Sequence, residues 1–103
     1  TDIAIEEGMI TSIEPGLYRE GKHGIRIENL VLAKKYDNSI FGDFMNFETL
    51  TICYIDTDLV NKDLLAQEHI EWLNQYNQFV FDKLAPHLTT AEASWLANKT
   101  KAI

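Results

Sequence analysis

Cysteine is almost missing: Cys53 is the only one in 103 residues. No internal disulfide and no thiolate metal cluster can therefore form within this chain, and the expected home is the reducing cytoplasm. Positive charge is scarce as well. Nine Lys and Arg stand against sixteen Asp and Glu, a net charge of −7, so no basic surface waits for phosphates, and neither nucleic acid nor a membrane is an expected partner. No apolar run approaches the roughly 18 residues that a membrane span needs, and the opening residues lack the basic start and hydrophobic stretch of an export signal. There is no initiator Met, and residues 1–7 run into a strand-like segment without a cap or turn. The chain thus reads as a piece of something longer.

What is present is a hydrophobic content of 46%, enough for one core and too little chain for two. The acidity is uneven: residues 1–35, 36–63 and 64–103 carry net charges of −1, −5 and −1. The acidic middle reads as solvated loop around one strand rather than as a cation site. Three segments alternate with the period of a strand, residues 9–14, 24–32 and 47–55. The polar stretch between the first two carries Gly21 and Gly24 and reads as a hairpin connection. After Asp63 the period changes to 3.6. Ile70, Leu73, Tyr76 or Asn77, Val80 and Leu84 form the stripe of an amphipathic helix over residues 66–85, ended by Pro86. Thr89 and Glu92 fit a capping box that opens a short helix, whose end is suited by Lys99 and Lys101. Strands first and helices last give an α+β class: a hairpin plus one further strand, then two C-terminal helices.

If the hairpin folds symmetrically about Gly21, paired positions sum to forty-two and Glu14 faces Glu28. Opposed residues on one face of an antiparallel pair hold their Cβ atoms about 4.5–5.5 Å apart, where like charges repel. A pair of divalent cations is one reason to place two carboxylates there, because their hard oxygen donors suit Mn²⁺-like ions. Strand alternation puts Arg26 on the same face, where it can steady a ligating carboxylate. Periodicity alone is more often met by two solvent-facing glutamates of a half-exposed hairpin. Spacing does not decide between them.

The literal text does more. Residues 8–18, GMITSIEPGLY, followed after a short loop by residues 24–29, GIRIEN, closely resemble two signature strands of the pita-bread metallopeptidases. Further on, Phe47, Glu48, Leu50 and Thr51, the stretch 56–59, and Glu71, Trp72, Leu73, Asn74 and Tyr76 look like the C-terminal extension of long, three-domain aminopeptidase P enzymes. The resemblance implies the C-terminal portion of a pita-bread fold. Residues 1–36 would end the catalytic domain with its metal-ligand hairpin. Residues 37–103 would be the extension, one strand and helices packed on the same core.

By the same resemblance the parent hydrolyses the N-terminal Xaa-Pro bond of peptides with two divalent ions, Mn²⁺ first and Zn²⁺ or Co²⁺ as alternatives. Glu14 would be a metal ligand that also accepts a proton from the attacking water, Glu28 the carboxylate bridging both ions, and Tyr18 and Arg26 supporting residues. The partners implied are proline-containing peptides and a second copy of the parent in a homodimer, with Trp72, Tyr76 and Phe79 near the interface. The family's two aspartate ligands and its histidine lie upstream of the EPG segment, and none of His23, His69 or His87 occupies a family catalytic position. The chain alone is therefore expected to be inactive. Other readings stay open: a prolidase acting on dipeptides, a pita-bread binding module that has lost its metals, or a helical interaction domain. Cys53 is expected to be a small apolar residue inside the third strand, and the sequon at Asn98 carries no weight without secretion.

Overall fold

A computed structural model describes residues 2–103, which form two compact units divided between residues 51 and 52. Among the described residues, the regular elements of the first unit are all strands. In it β1 (Ile10–Ile13), β2 (Gly16–Arg19), β3 (His23–Arg26), β4 (Asn29–Ser39) and β5 (Gly42–Thr49) follow one another. They form a three-stranded antiparallel sheet in the order β1-β4-β5 and a two-stranded ribbon of β2 and β3. Residues 36 and 37 both lie inside β4.

The segment expected as one strand over 24–32 is divided at Ile27 and Glu28 between β3 and β4. The register nevertheless continues across the break. Ile10 pairs with Leu32 and Ile13 with Asn29 in the larger sheet, while Gly16 pairs with Arg26 and Arg19 with His23 in the ribbon. All four pairs sum to forty-two, and in the gap the Ile27 amide still donates to the Pro15 carbonyl at 3.2 Å. Proline has no amide with which to return that bond, so the ladder weakens where Pro15 sits. At the ribbon's tip Gly21 takes φ +66°, the left-handed turn conformation of a three-residue hairpin loop.

The acidic middle is not the solvated loop that its composition suggests. Its first half is a second hairpin, in which Ser39 pairs with Gly42 around Ile40 and Phe41. Gly42 supplies the positive φ of that turn, +125°. The strand expected over 47–55 is correspondingly shifted, and β5 ends at Thr49. The reason is local: the Leu30 amide donates to the Thr51 hydroxyl at 2.8 Å instead of to a backbone carbonyl, and the ladder stops there. Cys53 accordingly lies outside any strand and is exposed.

The second unit holds α1 (Gln67–Leu84) and α2 (Thr90–Lys99), joined by a 3-10 turn over Ala85–His87 that contains Pro86. Leu73, Tyr76, Asn77 and Val80 are the buried face of α1, and Leu96 is the buried residue of α2. The extended stretch before α1 is fixed to that face by side chains. The Asn77 carboxamide accepts from the Ile55 amide at 2.9 Å and donates to the Ile55 carbonyl at 3.0 Å, and the Tyr76 hydroxyl donates to the Cys53 carbonyl at 2.8 Å. Asn77 thus acts as a one-residue strand partner. The capping box at α2 is formed: the Glu92 amide donates to the Thr89 hydroxyl, and the Thr89 amide donates to the Glu92 carboxylate at 2.9 Å. Lys99 does not merely face the helix end; it reaches Asp58 at 3.1 Å and Asp56 at 3.7 Å.

The two units bury different amounts. In the strand unit only Val31 and Ala33 are buried hydrophobics, while Ile10, Leu17 and Ile25 are each more than half exposed. A sheet with that much uncovered apolar surface is short of a packing layer. Among the described residues no helix is long and apolar enough to cross a membrane.

Candidate functional site

The continuous register gathers the polar residues of the first hairpin on one face. Positions 16 and 26 and positions 18 and 24 are cross-strand partners in the ribbon, while 14 and 28, which also sum to forty-two, lie in the gap between the ladders. Alternation therefore places Gly16, Tyr18, Gly24 and Arg26 on one face, from which Arg26 reaches Glu28. Pro15, Leu17, Ile25 and Ile27 fall on the opposite face, where they line an open apolar depression of about 360 Å³. The two glutamates expected from the sequence occupy the gap between the two ladders, where neither is held in a paired strand.

Arg26 ties the face together. Its Nη2 lies 3.1 Å from Glu28 Oε2. Its pKa is raised above the ordinary arginine value first by the Glu28 charge, then by the Tyr18 hydroxyl as hydrogen-bonding neighbour, and further by Glu14. One guanidinium is thus in electrostatic contact with all three of the other residues singled out from the sequence. The ion pair is half-exposed, so it orients Glu28 more than it stabilises the fold. A guanidinium on one carboxylate oxygen leaves the other free to accept a cation, the arrangement in which an outer residue fixes a ligand's direction.

Two carboxylates are the whole of the donor set. Among the described residues no group of three or more His, Cys, Asp or Glu side chains comes together in a way that could hold a metal ion. His23 begins β3 opposite Arg19, His69 lies in the first turn of α1 with Nε2 3.8 Å from Glu68, and His87 sits in the turn after α1. The oxygen donors present fit one side of a hard-cation site, and such a site needs further ligands to close. The two glycines of this face were not anticipated from the sequence as part of it. The usable signal was that they alternate with Tyr18 and Arg26.

Residues 1–35 match metallopeptidase family M24, and residues 43–103 match the C-terminal region of peptidase_M24. A protein of Coprinopsis cinerea named "Probable Xaa-Pro aminopeptidase P" is 41% identical over 97% of this chain and 17% of its own length. Human Xaa-Pro aminopeptidase 2 is 35% identical over 99% of this chain and 16% of its own length. In three dimensions the chain matches an X-prolyl aminopeptidase from Caenorhabditis elegans, described as a cytosolic enzyme with a di-nuclear active site. The TM-score is 0.83 at 37% identity, over 96% of this chain and 17% of that one. The chain therefore spans only a small part of the relatives it matches.

Proposed function

The chain belongs to metallopeptidase family M24, most of it to that family's C-terminal region, and on that premise we propose that it is the C-terminal part of a longer, dinuclear metal-dependent aminopeptidase. The reaction proposed is hydrolysis of the bond between a peptide's N-terminal residue and a following proline. The observation that supports the reading is the Arg26–Glu28 ion pair at the end of the ribbon, beside a register whose pairs sum to forty-two on both sides of the gap that holds Glu14 and Glu28. The names of the relatives supply the bond, and the di-nuclear site described for the Caenorhabditis elegans enzyme supplies the metal count.

In this reading Glu14 and Glu28 would be ligands, Glu28 the one proposed to serve both ions, and the remaining ligands would come from residues outside this chain. When bound, the ions would acidify a water and polarise the scissile carbonyl; Mn²⁺ is the ion we propose, on the hardness of the donors. Glu14 would then accept the proton of the attacking water, the role of a general base. Arg26 keeps Glu28 aimed, and Tyr18 in turn keeps Arg26 from swinging to solvent. The chain by itself would be inactive. A homodimer and a cytoplasmic location complete the proposal for the longer protein, the latter supported by the cytosolic relative. Of the α1 aromatics proposed for the interface, Trp72 is 53% exposed and Phe79 half-buried, whereas Tyr76, on which Trp72 stacks, is buried.

The test is Glu28→Gln in the longer protein, assayed on an Xaa-Pro peptide with added Mn²⁺. Activity should vanish while the far-UV circular dichroism stays unchanged, because a shared anion is lost and the shape kept. Glu20→Gln, in the hairpin loop, should leave activity intact. Equal losses at both positions, or full activity of Glu28→Gln, would sink the reading.

A further inference from the structure

Gly16 and Gly24 have a role that no motif spelling assigns. The Tyr18 ring lies flat across both of them. A methyl carbon placed on Gly16 would fall 2.6 Å from the Tyr18 hydroxyl oxygen and 2.8 Å from Cε2, and one on Gly24 would fall 2.7 Å from Tyr18 Cδ1. Non-bonded carbons approach favourably only to about 3.5–4.0 Å. Neither glycine takes a positive φ, so the backbone conformation at both positions is open to any residue. What a side chain there would meet is the ring itself, which would have to move aside.

The direction of the ring is the informative part. Gly24 is the cross-strand partner of Tyr18, and Gly16 is the partner of Arg26. A ring that starts over Gly24 and ends with its hydroxyl over Gly16 has been laid diagonally along the ribbon toward Arg26. The hydroxyl arrives beside the guanidinium, whose other side is the 3.1 Å contact with Glu28. Tyr18 is otherwise 65% exposed, and an exposed tyrosine on a strand would ordinarily stand away from the sheet and sample its rotamers.

We infer that Gly16 and Gly24 are positioning residues: they form a side-chain-free seat that lays Tyr18 along the hairpin, so that its hydroxyl holds Arg26 against Glu28. The chain of contacts runs from Gly24 and Gly16 to Tyr18, then to Arg26, then to Glu28. Its activity consequence rests on the proposed function, but the seat itself does not.

The experiment uses the longer protein with Gly24→Ala, Tyr18→Ala and the double variant. Gly24→Ala should lower kcat/KM on the order of 10- to 100-fold, the penalty of displacing a supporting group by about an ångström. In the Tyr18→Ala background the same glycine change should add no further loss, because no ring remains to be displaced. A metal-free readout runs alongside: with 3-fluorotyrosine incorporated, the Tyr18 ¹⁹F resonance, assigned by its loss in Tyr18→Phe, should move toward the solvent-exposed position in Gly24→Ala. A kcat/KM for Gly24→Ala within twofold of the parent, losses that multiply in the double variant, or an unmoved resonance would each overturn the inference. Glu28→Gln in the same assay separates the two ideas. If it stays active, the peptidase reading fails, and the ¹⁹F shift still decides the seat.

Discussion

Replacing Asn77 with Leu should remove a large share of the stability of the helical unit. The side chain is 1% exposed and both ends of its carboxamide are used, one by the Ile55 amide and one by the Ile55 carbonyl. Leucine keeps the branched outline and the number of side-chain heavy atoms but offers neither bond. A buried donor or acceptor left without a partner costs about 1–3 kcal/mol. Ile55 is only half-buried, so water can reach part of it and the low end applies, roughly 2–4 kcal/mol for the two groups. Leucine's better helix propensity returns about half a kcal/mol. Against roughly 3–8 kcal/mol for a unit of this size, that is close to half. Tyr76→Phe, which loses the single bond to the Cys53 carbonyl, should cost about 1 kcal/mol. Urea denaturation followed by tryptophan fluorescence reads the change where it occurs, because Trp72 and Trp95 both lie in this unit. Asn77→Asp adds a pH signature. The carboxylate would face the Ile55 carbonyl, so its folded pKa rises above the unfolded value near 3.9. The folded state then binds more protons, and stability grows as pH falls from the folded pKa toward the unfolded one. An Asn77→Leu loss below about 1 kcal/mol, with unchanged exchange protection of the Ile55 amide, would refute the claim that Asn77 holds the extended segment.

Val80 is fully buried, so Val80→Ala should cost about 2 kcal/mol through lost transfer energy and the cavity left behind, measured in the same denaturation. Thr89→Ala should cost about 1 kcal/mol by removing the cap of α2. The Glu92 carboxyl is held below its ordinary 4.5, first by the Thr89 amide and then by the Thr89 hydroxyl. Its contribution is therefore present above pH 4.5 and fades as pH falls through the lower folded value; a Glu92→Gln variant should show a flatter acid limb in a stability-versus-pH series. For the isolated chain, isothermal titration with Mn²⁺ should show no tight site, since two carboxylates are too few ligands; sub-micromolar binding would point to a self-sufficient metal domain.

The helices and the first hairpin were legible in the sequence because their determinants are local. The 3.6-residue stripe from Ile70 to Leu84, the Thr89–Glu92 capping box and the turn at Gly21 each lie within a few residues of what they specify. The second hairpin was missed because its tip is Ile40-Phe41, two apolar residues where a turn former is expected. Residues 52–55 alternate as a strand should, yet their hydrogen bonds go to Asn77 and Tyr76 on a helix. Periodicity reports a half-buried extended segment and says nothing of what pairs with it.

The same division holds at the candidate site. The sequence by itself determined the register, with paired positions summing to forty-two on both sides of the gap that holds Glu14 and Glu28, because register in a short hairpin follows from the position of its turn. Its wording also determined the family. Only the tertiary structure decided that Arg26 turns to Glu28, that Tyr18 lies along the ribbon instead of standing off it, and that two glycines make room for that ring. Those outcomes depend on rotamers and on contacts between side chains across two strands, and neither spacing nor composition encodes which of several allowed rotamers the neighbouring atoms leave open.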